Sequence, residues 1–146
     1  MSELLRAIHL ETVAGGYQSL ITNATGHRLR ADEPSALGGE DDGFLPFELL
    51  SAALASCTSA TLMMFARRHG WPLAEVVMDV RYVRTGEREG NAHGDRDLMA
   101  RDIVLKGDLS DEQMDRLTAV AKRCPVAKVL EGASIEIFDQ VRMEPA

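Results

Sequence analysis

The side chains best suited to covalent chemistry in this sequence are two thiols, Cys57 and Cys124, the only cysteines among 146 residues. A thiol attacks as its thiolate, so its surroundings decide whether it is a nucleophile or merely a small hydrophobe. Cys124 stands between the end of one expected helix and Pro125, a favoured first residue for the next. Its sulfur therefore falls in an N-cap region, where unpaired backbone N–H groups and the positive end of the helix dipole stabilise a thiolate. Cys57 lies about three turns inside a long helix of small residues, too deep to be helped by that helix's own N-terminus. Stabilisation of a Cys57 thiolate has to come from elsewhere in the fold. His9, His27, His69 and His93 are scattered and make no ligand-spaced set with the cysteines, so no metal is expected.

The elements that must position these thiols are read from periodicity and punctuation. Three short strands are expected at residues 5–12, 17–22 and 27–31, separated by Gly15-Gly16 and Asn23-Ala24-Thr25-Gly26. A polar loop over 32–43, with Pro34, Gly38 and Gly39, leads to Pro46, which opens a long helix with Glu48 opposing the dipole in its first turn. That helix runs to about His69, stops at Gly70 and is followed by Pro72. Met78, Val80 and Tyr82 alternate with Asp79, Arg81 and Val83, marking a strand over 76–84. Residues 85–97 read as an exposed hairpin loop or flap, and 99–106 as the returning strand. Ser110 and Gln113 form a capping box for a helix ending near Arg123, and Pro125 starts a short helix to about Leu130. Residues 134–141 read as a closing strand. The sum is a single α+β domain over residues 1–146.

Composition excludes several classes. A net charge of −7 gives no basic footprint for nucleic acid or an anionic membrane. Residues 45–66 carry one charge, Glu48, and have the length of a bilayer span. Their Ala, Ser and Thr content suits the buried centre of a soluble domain better, so no membrane partner is expected. Two cysteines make no disulfide-stapled scaffold, and the first six residues have no basic-then-apolar leader, which together point to the cytoplasm.

The run Leu45-Pro46-Phe47-Glu48-Leu49-Leu50-Ser51-Ala52-Ala53-Leu54-Ala55-Ser56-Cys57-Thr58, followed downstream by Arg123-Cys124-Pro125-Val126, resembles the OsmC/Ohr superfamily. These are the osmotically inducible and organic hydroperoxide resistance proteins, and the wording is nearest their less-characterised OsmC-like branch. Ala31-Asp32-Glu33-Pro34 with Gly38-Gly39, Gly70-Trp71-Pro72-Leu73, and Gly107-Asp108-Leu109-Ser110 extend the resemblance over nearly the whole chain. It implies an OsmC-like α+β fold with β-sheets wrapped around a long central helix in an intertwined homodimer. It also implies a thiol-dependent peroxidase of oxidative-stress defence, reducing organic hydroperoxides better than hydrogen peroxide. By the same resemblance Cys57 is the peroxidatic residue, oxidised to a sulfenic acid. Cys124 is the resolving residue, closing a disulfide that an external dithiol reduces. No cofactor is called for. Family reductases polarise the peroxidatic thiol with an Arg and a Glu. The Glu position here holds Phe47, with Glu48 next, and the Arg region reads Gly15-Gly16-Tyr17, leaving Arg28 and Arg30 as candidate cations. The OsmC-like branch often has a His two residues after the Cys-Pro pair, where this chain has Ala127. A second reading of the same apolar helix is a non-catalytic dimeric binding protein for a small apolar or thiol-reactive ligand.

Overall fold

A computed structural model describes residues 6–84, 97–132 and 135–145. Within it the chain forms two compact units, Met1–Ala52 with Val80–Ala100, and Ala53–Asp79 with Arg101–Ala146.

In the first unit, strands β1 (Ile8–Thr12), β2 (Ser19–Asn23) and β3 (Arg28–Ala31) make an antiparallel sheet in the order β1-β2-β3. Leu10 pairs with Ile21 and Ile21 with Leu29, so one apolar row crosses all three strands. The loop after β3 is organised by Asp32, a buried carboxylate that accepts the N–H groups of Glu33, Glu40 and Asp42 at 2.8, 3.1 and 3.1 Å. The loop folds so tightly that a Cβ on Gly39 would lie 1.9 Å from the Glu33 carbonyl oxygen. Only glycine fits there.

Helix α1 spans Pro46–His69, the limits expected from its punctuation. At its start the Glu48 carboxylate accepts the Leu45 N–H at 2.8 Å. At its end Gly70 adopts φ 65°, its N–H bonds to the Arg67 carbonyl, and the Trp71 N–H bonds to the Ala66 carbonyl. This double closure is a Schellman motif, which satisfies two of the orphan carbonyls of the last turn. By length and composition α1 could cross a membrane. One row of it, Leu54, Thr58, Leu62 and Ala66, is buried at a spacing of four.

In the second unit the core gathers Leu62, Ala66, Leu73, Leu117, Val120 and Ala121, with Phe65, Trp71, Ile103 and Leu105 packed around them. Strands β4 (Leu73–Val83) and β5 (Leu98–Gly107) form a two-stranded sheet. β4 begins three residues earlier than its alternation announces. Along β5 the more buried row is Met99, Arg101, Ile103 and Leu105. Helix α2 (Asp111–Ala121) opens with the expected capping box: Ser110 Oγ accepts from the Gln113 N–H, and Gln113 returns the bond. Helix α3 follows at Pro125–Gly132.

The structure corrects one expectation. Residues 135–141, read as the body of a closing strand, form no strand, because no neighbouring strand pairs with them among the described residues of this chain. Their apolar side chains lie exposed, with Phe138 at 88% and Val141 at 92%. Residue 134 and most of the expected flap, 85–96, lie outside the described residues.

Candidate thiol site

Cys57 sits on α1 at the border between two rows. The buried row passes through Leu54, Thr58 and Leu62, and an exposed row of mostly small side chains passes through Ala52, Ser56, Ala60 and Met64. The thiol is half-buried in consequence.

Cys124 is fully buried at the N-terminus of α3. Its carbonyl accepts the Lys128 N–H at 3.1 Å, the first bond of that helix, which makes Cys124 the N-cap. Its sulfur receives the Val126 and Ala127 N–H groups, the N2 and N3 donors that an N-cap side chain ordinarily serves. The position inferred from Pro125 thus carries the expected geometry.

The structure sets the two cysteines close enough for each to act on the other's titration, and both are free thiols. They share a donor, because the Val126 N–H also serves the Cys57 sulfur. The help that Cys57 lacks from its own helix is thus supplied by the N-terminus of another. The Thr61 hydroxyl faces the same sulfur.

The two environments push in opposite directions. Burial raises the Cys57 thiol above its ordinary value, and the hydrogen bond and charge of Cys124 raise it further, against smaller lowering effects from Val126 and Thr61. Burial also acts upward on Cys124. There it is outweighed by the bonds from Cys57, the Ala127 N–H, the Thr58 hydroxyl and the Val126 N–H, and the thiol ends below its ordinary value. The two titrations are therefore linked, and Cys124 is the thiol that gives up its proton more readily.

Behind Cys124 lies a group that the sequence reading missed. Thr58 is fully buried; its Oγ1 donates to the Leu54 carbonyl at 2.7 Å and accepts from the Arg101 guanidinium at 2.9 Å. The same guanidinium nitrogen donates to the Ala121 carbonyl at 3.1 Å. A signal was available: Arg101 interrupts an inward row of Met99, Ile103 and Leu105 at period two.

The other candidate groups have local partners. Glu48 caps α1. It lies nine residues before Cys57, about 13.5 Å along the axis and half a turn out of phase, so the two point to opposite sides of the helix. Phe47 packs on Tyr82, ring centroids 4.7 Å apart, under the Arg84 guanidinium. Arg30 pairs with Asp42 at 2.6 Å, and Arg28 lines an open groove on the three-stranded sheet beside Leu20. Among the described residues no three His, Cys, Asp or Glu side chains could hold a metal ion.

A family model described as OsmC-like protein matches residues 39–138, which includes both cysteines. No curated protein matches the chain. Among solved structures, the OsmC-like protein of Mycoplasma pneumoniae superposes with a TM-score of 0.73 at 20% identity, covering 91% of this chain and 92% of that one. An organic hydroperoxide resistance protein OsmC of Legionella pneumophila gives 0.67 at 22% identity, with 90% and 93% covered. The organic hydroperoxide resistance protein OhrB of Bacillus subtilis gives 0.58 at 21% identity, with 88% and 92% covered. At these identities the structural likeness speaks for the fold.

Proposed function

The chain belongs to the OsmC-like family, and on that premise we propose that it is a thiol-dependent peroxidase that reduces organic hydroperoxides in preference to hydrogen peroxide. The observation that carries this reading is the pair of free thiols, Cys57 and Cys124, each acting on the other's titration at one helix N-terminus. The hydroperoxide resistance proteins with which the chain shares its fold support it.

Exposure and charge divide the work. Cys57 is the more accessible sulfur and meets the peroxide; Cys124 is buried and is the thiol that ionises more readily. The Cys124 thiolate takes the Cys57 proton as the Cys57 sulfur attacks one peroxide oxygen. The O–O bond breaks, Cys57 becomes a sulfenic acid, and an alkoxide leaves. The alkoxide takes the proton back from Cys124 and departs as the alcohol. Cys124, a thiolate again, attacks the Cys57 sulfur, expels hydroxide, which is protonated to water, and closes the disulfide. Two electrons have passed from the thiols to the peroxide. An external dithiol restores the pair by exchange. This chemistry suits a reducing compartment, and we place the protein in the cytoplasm. The exposed row of α1 packs on a second copy, forming the homodimer.

The test is a thiol count. Reduced protein receives one equivalent of cumene hydroperoxide without air, beside Cys124→Ser and Cys57→Ser variants. The expected result is rapid loss of both thiols in the wild type, a trapped sulfenic acid in Cys124→Ser, and an inert Cys57→Ser. Two persistent thiols in the wild type overturn the reading.

A further inference from the structure

Arg101 occupies a position that its strand reserves for apolar side chains, in line with Ile103 and Leu105. Drawing a guanidinium out of water is costly unless its donors are satisfied. Here the acceptors are neutral, the Ala121 carbonyl and the Thr58 hydroxyl. A cation held by neutral acceptors keeps its field available to its surroundings. The same Thr58 hydroxyl is among the groups that lower the Cys124 thiol.

The hydroxyl determines how the two communicate. Thr58 has one proton and two lone pairs. Arg101 occupies a lone pair, which fixes the oxygen and draws electron density from it, making the O–H a stronger donor. In the structure that proton goes to the Leu54 carbonyl in the preceding turn. A rotation about the C–O bond would turn it to the Cys124 sulfur when that sulfur ionises.

We propose that Arg101 is the positioning residue of the thiol pair, holding and polarising the Thr58 hydroxyl so that it stabilises negative charge on the Cys124 sulfur. The titratable group acting on each sulfur is the other sulfur, and Arg101 on β5 is bonded to Thr58 on α1, one of the groups that lower Cys124. The catalytic meaning of this relay rests on the peroxidase reading above, but its effect on charge is measurable without any peroxide.

The experiment follows the rate of alkylation by iodoacetamide against pH on the reduced full chain, in wild type, Arg101→Gln, Thr58→Val and the double variant. The midpoint for the first thiol rises by about one unit in Arg101→Gln, a roughly tenfold loss of thiolate at neutral pH. Thr58→Val raises it as well, and Arg101→Gln then adds nothing. A midpoint unmoved by Arg101→Gln, or a shift fully additive with Thr58→Val, overturns the proposal. Where Arg101→Gln does not fold, Arg101→Lys decides: its ammonium keeps the charge without the planar fork, giving a midpoint between wild type and Thr58→Val. Wild-type midpoints in both variants overturn the relay. Cumene hydroperoxide turnover is scored separately. A shifted titration beside an inactive wild type removes the peroxidase reading and leaves the relay standing, and an unshifted one beside full turnover removes the relay alone.

Discussion

The two sulfurs push each other's titration in opposite directions, and removing either reports on the other. The Cys57 thiol is raised by burial and then by Cys124, so Cys124→Ala removes the second influence and lets Cys57 fall toward its ordinary value. The Cys124 thiol is lowered chiefly by the bond from Cys57, so Cys57→Ala lets burial push it up. The expected signature is two single-cysteine variants whose midpoints move in opposite directions relative to the wild-type pair, measured by thiolate absorbance against pH. Midpoints unmoved by removal of the other sulfur would mean that the two titrate independently. Cys124 as an N-cap thiol was legible in the residues themselves, because Pro125 marks where the next helix starts. Thr58 and Arg101 were not, because nothing in the sequence says which strand residue reaches which turn of α1.

The elements owe their limits to local chemistry. Pro46 and Glu48 start α1, Gly70 ends it, and Ser110 with Gln113 starts α2, each satisfying backbone groups within a few residues. The loop between β3 and α1 depends on Asp32, whose bonds from Asp42, Glu33 and Glu40 keep its carboxyl below the ordinary value, against an opposing effect of burial. A carboxyl lowered by folding stabilises the fold above its unfolded value, about 3.9, and loses that contribution as the pH falls through its folded value. Asp32→Asn should therefore melt earlier than wild type at pH 7. The gap should narrow as the pH falls below about 3.9, as thermal melts across that range would show. A constant gap at every pH would assign the effect to shape alone. Residues 135–141 show the limit of local reading: they read as the body of a strand, but a strand also needs a neighbour to receive its N–H and C=O groups.

At the scale of the whole molecule, the exposed row of α1 is the feature that one chain leaves unexplained. Ala52, Ser56 and Ala60 are small enough for a second backbone to approach closely, and Met64 beside them is 66% exposed. In the proposed homodimer this row is covered. Light scattering should give wild type twice the mass of one chain, and Ala60→Glu, which places a charge at the centre of the row, should give the monomer. A wild-type monomer would remove the dimer from the proposal. The sequence by itself determined the α+β order of elements as far as α3, the bounds of α1, the capping box of α2, and the helix terminus that holds Cys124. These follow from backbone groups satisfied by near neighbours and from periods of two and 3.6 that repeat along one element. Only the tertiary structure decided that Cys57 and Cys124 lie close together and that Arg101 bonds to Thr58. Each of these depends on how residues distant in sequence are packed together, and the spacing of residues along a chain does not encode that distance.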